Sequence, residues 1–145
     1  MGQTPPMNET PRELSEAGQR VLAAFEAIYE GTFKGDPAAN ANLEIEVIPV
    51  GVLDTPLGEQ EAFIAVTPWT MNGLLLPGDG LPYSVDIAGA NREVYALVMN
   101  EVGPVAQVNI VPDVSKYTSH TQAMTIAESF IPVWRGALEA IFKIG

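Results

Sequence analysis

His120 is the single histidine among 145 residues, and there is no cysteine. A general base needs a nucleophile or a carboxylate presented to it. Around His120 the neighbours Ser119 and Thr121 read as cap residues, so His120 itself reads as a solvated residue at a helix start. Metal ligation has no better basis, with one histidine, no thiolate and no carboxylate pair at ligand spacing. Asp79 in "PGDG" lacks the alternating oxygen ligands of a calcium loop. The glycine-rich pieces "GDG" and "AGAN" lack both the phosphate-loop lysine and the dinucleotide fingerprint. Glu44 and Glu46 share a strand face, where they read as a wet acidic edge that discourages sheet aggregation. The expectation is a protein without enzymatic activity, metal or cofactor.

The charge balance says more. Formal net charge is −11, and residues 1–72 hold 11 acids against 3 bases. Such a surface repels nucleic acid and anionic membranes, and attracts a basic segment on a partner. The amino terminus, MGQTPPMNET, lacks the basic and apolar regions of a secretory signal. Pro6 breaks the myristoylation pattern that Gly2 would open. No run approaches the roughly 18 apolar residues of a membrane span. Absence of cysteine fits a reducing compartment, and the chain reads as cytoplasmic.

These residues must be positioned by a modest set of elements. A chain of 145 residues with 47% hydrophobic content can build one core, burying roughly 68–70% of its unfolded surface. Residues 1–9 read as a flexible tail and 10–145 as a single domain. Thr10, Pro11 and Glu13 offer a helix start. Leu14, Ala17, Val21, Phe25 and Ile28 follow on one helical face, with Gly31 as its stop. From Leu43 the period changes to two: Leu43, Ile45 and Val47 alternate with Glu44 and Glu46, and Pro49 points to an edge or bulge. Further strands are expected at 61–67, from Tyr83, from Glu93 and from Val105, separated by glycine-rich turns. A second helix carries Met124, Ala127, Ile131, Trp134, Leu138 and Ile141 on one stripe, which at that spacing reads as core. Its cap is Ser119 with Gln122, and Pro132 kinks or splits it. The fold class is α+β, an antiparallel sheet of five to six strands flanked by an N-terminal and a C-terminal helix.

One segment resists this scheme. Residues 67–77, "TPWTMNGLLLP", form the most apolar run of the chain, yet Pro68, Gly73 and Pro77 interrupt it. Leu74, Leu75 and Leu76 cannot share one strand face, so both faces are covered or something stays exposed. Trp69 places an amphipathic ring at a strand end, and Met71 is an adaptable contact side chain. The run reads as half core and half rim, its ends presenting Trp69 and Met71.

The same run resembles the Pro-Trp-aromatic-Met-Asn-leucine-rich-Pro hallmark of the HybE/HupJ-type NiFe-hydrogenase assembly chaperones. Phe25 and Ile28, the "NANLEIEV" of Asn40 to Val47, and "GPVAQVNIVP" at 103–112 are similar to further family segments. Thr70 stands where an aromatic residue is expected, and Gly73 where a larger apolar one is. The resemblance implies a non-enzymatic cytoplasmic chaperone that binds a precursor subunit of a NiFe hydrogenase before assembly and export. The favoured client is the small subunit with its twin-arginine signal. The contact residues it implies are Pro68, Trp69, Met71, Asn72, Leu75, Leu76 and Pro77. Two other readings stand beside it. One is a permanent structural subunit of a hydrogenase complex; the other is a small-molecule binder using His120, Tyr83 and Asn72.

Overall fold

The computed structural model describes residues 14–144. The tail at 1–9 and the expected cap at Thr10, Pro11 and Glu13 lie outside the described residues. The first described helix, α1, runs Glu16–Ile28 and is capped by Ser15, whose hydroxyl accepts from the Gly18 N–H at 3.1 Å. It does not end at Gly31. It passes into a π-helical turn, Tyr29–Phe33, closed by Lys34 N–H donating to the Tyr29 carbonyl at 2.8 Å.

Six antiparallel strands follow: β1 Glu46–Thr55, β2 Gly58–Val66, β3 Met71–Leu76, β4 Ser84–Ile87, β5 Ala90–Met99 and β6 Gly103–Val111. Their order in the sheet is β1-β2-β3-β6-β5-β4. The β1–β2 connection is the two-residue turn Pro56–Leu57, and β4–β5 turns at Ala88 and Gly89. Both of the latter have positive φ, the pattern of a type I′ hairpin. Pro49 falls where β1 is both an edge strand and bulged, the register shifting between Pro49 and Gly51. Leu43 lies ahead of β1, because Asn40 to Leu43 closes a turn. The period-two face expected from Leu43 is therefore split: Leu43 packs on one side of the sheet, Ile45 and Val47 on the other.

The C-terminal helix is split as well. α2 runs His120–Ser129 and α3 runs Ile131–Phe142, with Phe130 as the joint. Pro132 sits in the first turn of α3, where its missing N–H would have no intrahelical partner anyway. Ser119 caps α2 by accepting from Gln122 N–H at 3.1 Å, while the Gln122 side chain takes the Thr118 N–H at 2.9 Å.

α1 packs on one face of the sheet and α2–α3 on the other, so β3 is buried along its whole length. Leu74 and Leu76 face α1 with Val21, Phe25 and Phe63. Met71 and Leu75 face the other way, with Trp134 and Leu138. Of the two arrangements the sequence allowed for Leu74–Leu76, coverage of both faces is the one adopted. Trp134 is fully buried. Its indole lies against the backbone at Gly73, where a Cβ would stand 2.7 Å from Trp134 Cε2. The indole N–H donates to the Leu74 carbonyl at 3.2 Å. Gly73 is thus the seat of Trp134, which is why a larger residue does not stand there. Gly18 has the same role on the opposite face, where a Cβ would meet Phe63 Cε1 at 2.9 Å.

Gly73→Val is expected to force Trp134 off the strand and to lower stability by about 1–3 kcal/mol through overpacking. Urea unfolding followed by far-UV circular dichroism checks it, and a change under about 0.5 kcal/mol would contradict the close contact.

Candidate functional site

The "TPWT" at the head of the 67–77 run is the hairpin between β2 and β3. Thr67 N–H donates to the Thr70 carbonyl at 2.9 Å, as does the Thr67 hydroxyl at 2.8 Å. The same hydroxyl accepts from the Thr70 N–H at 2.9 Å and the Trp69 N–H at 3.2 Å. Pro68 takes the second position of the turn, where its fixed φ helps and no N–H is needed. This turn aims the Trp69 ring toward α1. There it stacks on Phe33, centroids 4.2 Å apart and planes 7° apart, and meets Phe25 at 6.3 Å. Phe33 reaches Trp69 from the π-helical turn.

The motif residues separate by burial. Pro68 is buried and Trp69 half-buried, while Met71, Asn72, Leu75 and Leu76 are interior. Met71, expected at the rim, is fully buried in the α2–α3 cluster because it points away from α1. Asn72 donates from Nδ2 to Gln107 Oε1 at 2.7 Å, a cross-sheet bond. Pro77 is exposed at the opposite end of β3, its carbonyl held at 2.8 Å by Gln60 Nε2. What a partner can touch in this run is the Trp69 end and, separately, Pro77.

Beside the Trp69 end lies a cleft of about 540 Å³. Tyr29, Leu43, Ile45 and Pro68 line it, together with Glu26, Glu30 and Glu44. Lys34 pairs with Glu30 at 3.2 Å, an exposed pair. Glu26 and Glu44 have no such cation among the described residues. The cleft is therefore apolar in its walls and net negative at its mouth. A larger groove, about 640 Å³, runs between α1 and β5 past Ala23, Ala27, Leu97 and Met99. Its Glu16 and Arg20 pair with each other at 3.2 Å, which leaves Glu101 as its one carboxylate without a cation among the described residues, against Glu26 and Glu44 at the cleft.

Two residues brace the cleft. Asn40 donates its backbone N–H to the Pro68 carbonyl at 2.7 Å. Its Nδ2 donates to the carbonyls of Val114 at 2.9 Å and Tyr117 at 2.8 Å. The loop of Asn40, the Pro68 turn and the Val114–Tyr117 connection thus meet at that one residue. His120 is not a free cap residue. Its Nδ1 accepts from the Glu44 N–H at 3.1 Å, which puts the neutral ring's proton on Nε2, 2.8 Å from Glu46 Oε1. The imidazole so pins the Glu44–Glu46 strand entrance to α2. In the same β6–α2 connection, the Ser115 hydroxyl and amide hold the Asp113 carboxyl below its ordinary range, and burial raises the Tyr117 phenol.

The small-molecule candidates do not converge. His120 lies at the β1 edge, Tyr83 is 95% exposed at the β4 edge, and Asn72 is buried between them. No group of three or more histidine, aspartate or glutamate side chains is placed to hold a metal ion among the described residues. No helix among them is long and apolar enough to cross a membrane. Asn40, Phe33 and Glu26 carry the site without having been singled out in the sequence. Only the position of Asn40 at the start of "NANLEIEV" hinted at it.

The chain matches the family model for the NiFe-hydrogenase assembly chaperone HybE over residues 16–139. No curated protein and no solved structure matches the chain significantly.

Asn40→Ala is expected to cost about 1–3 kcal/mol, because two carbonyls lose their donor. Leu75→Ala should cost about 2–5 kcal/mol as a core cavity, and Trp69→Ala less, since Trp69 is partly exposed where Leu75 is fully buried. Chemical denaturation of the three variants checks the ranking. Trp69→Ala proving the costliest would mean that the ring is core.

Proposed function

The chain belongs to the HybE family of NiFe-hydrogenase assembly chaperones, and we propose on that premise that it binds a precursor subunit at the Pro68–Trp69 cleft. It does so without catalysis, in the cytoplasm, before assembly and export. The favoured client is the small subunit with its twin-arginine signal, a basic stretch joined to an apolar one. The observation that carries this reading is the cleft's composition. Pro68, Tyr29, Leu43 and Ile45 offer an apolar wall, and Glu26, Glu30 and Glu44 stand around it. An aromatic anchor beside a partly desolvated groove supplies affinity. The acidic rim supplies orientation and encounter rate.

Within the motif, the work divides by depth. Trp69 and the cleft-lining edge of the otherwise buried Pro68 touch the client. Met71, Asn72, Leu75 and Leu76 hold the hairpin that presents them, through the α2–α3 cluster, the Gln107 bond and the α1 cluster. Pro77 contributes at the far end of β3, with a different part of a long client.

A pull-down with tagged protein, followed by mass spectrometry, tests the reading. Recovery of a hydrogenase subunit still carrying its signal or extension is the expected result. Recovery of mature, metal-loaded enzyme would instead make the chain a permanent subunit, and recovery of no hydrogenase chain would overturn the assignment. Glu26→Lys combined with Glu44→Lys should weaken capture about tenfold or more, roughly 1.4 kcal/mol, with melting nearly unchanged. Capture by the native chain should also weaken with added salt.

A further inference from the structure

The sheet has two outer strands, and they are not equally available. β1 is closed off. Its bulge interrupts the ladder, the Val50 carbonyl accepts from Arg135 Nη1 at 3.3 Å, and the Arg135 guanidinium presses on Gly51. β4 has no such cover. Val94 N–H donates to the Tyr83 carbonyl at 2.9 Å, and this fixes the phase of the ladder. Tyr83, Val85 and Ile87 bond to β5, so Ser84 and Asp86 turn their N–H and C=O groups outward. Among the described residues, no partner meets those outward groups.

The two sides of this edge differ chemically. On the α3 side an open groove of about 470 Å³ runs along β4, walled by Val133, Ala137, Ala140 and Ile141 and bordered at the strand edge by Ser84 and Asp86. Asp86 borders that groove at the edge, but its side chain alternates away from buried Val85 and Ile87 toward the side of Glu93, which pairs across from Ser84; both carboxylate residues are exposed. A strand presents successive side chains to opposite sides. A strand laid against β4 would therefore put alternate residues into the apolar groove and the others beside two carboxylates. Like charges on facing strands are unfavourable, so a second copy of this chain, net −11, is a poor occupant.

We propose that β4 is a docking edge that takes an extended segment of a partner polypeptide, alternately basic and apolar, as a seventh strand. Backbone hydrogen bonds to Ser84 and Asp86 supply the pairing, and the two unlike sides set the pattern. The edge lies three strands from β3 and operates whether or not the Pro68 cleft holds a client.

The test uses a synthetic peptide, acetyl-(Lys-Val)×3-amide, titrated into the whole protein and followed by NMR. Expected are saturable shifts at Ser84 and Asp86, and amide exchange of those two residues slowed at least fivefold. A peptide with the same residues in blocks, three lysines then three valines, should produce neither. Ser84→Pro removes an outward donor that the β4–β5 ladder does not use, and should weaken binding at least tenfold. Should that variant fold poorly, Asp86→Lys should weaken the basic peptide about tenfold and favour its glutamate counterpart. Equal response to both lysine peptides would overturn the proposal, as would shifts confined to the Pro68 cleft. Protection of Ser84 and Asp86 in peptide-free protein that rises with its own concentration would overturn it in favour of self-pairing.

Discussion

Trp134 can lie flat on β3 only because residue 73 has no side chain, and much of the fold follows from that contact. The indole fills the space between Met71 and Leu75 on one strand face, and its N–H is satisfied by a β3 carbonyl. A buried indole N–H without a partner would be costly. The contact therefore fixes α3 both in height and along the strand. With α3 seated, the α2–α3 pair covers one face of the sheet while α1 covers the other, again by way of a glycine, Gly18 on Phe63. The leucine run becomes a strand buried on both sides, and the prolines at its ends are read as its boundaries rather than as interruptions.

Burial on both faces leaves function to the periphery. Side chains that seat β3 have no surface to offer, so recognition must be built where the strand ends and the chain turns. At the Trp69 end the proposed surface is shaped by a relay. The Thr67 hydroxyl fixes the turn, the turn aims the indole, and the π-helical turn delivers Phe33 to stack on it. Asn40 and His120 then lock the neighbouring loops. An open groove with preset walls loses less conformational entropy on binding than a floppy loop would. The acidic residues around it add a field that favours a basic stretch near an apolar one. That is the sort of surface an assembly chaperone needs if it is to hold a partner and later release it.

The sequence alone carried the element order, the hairpin turns, the edge character of β1 at Pro49, the break at Pro132 and the core stripe through Trp134 and Leu138. Each is a local matter: the period of apolar residues, or a proline or glycine that only some backbones admit. It also carried the family, through the "TPWTMNGLLLP" run. What it left undecided, or placed differently, depends on which remote segments meet. Leu43 joined the opposite face from Val47 because an Asn40-centred turn intervenes. Met71 went inward because α3 arrived over it. His120 found Glu44 and Glu46 more than seventy positions upstream. The cleft is assembled from α1, its π-helical turn, the strand entrance and the β2–β3 turn, four pieces that no single stretch of sequence brings together. Short-range chemistry thus determined what the pieces are. Only tertiary packing decided which of their faces stayed wet, because burial is a property of the pair of surfaces that meet.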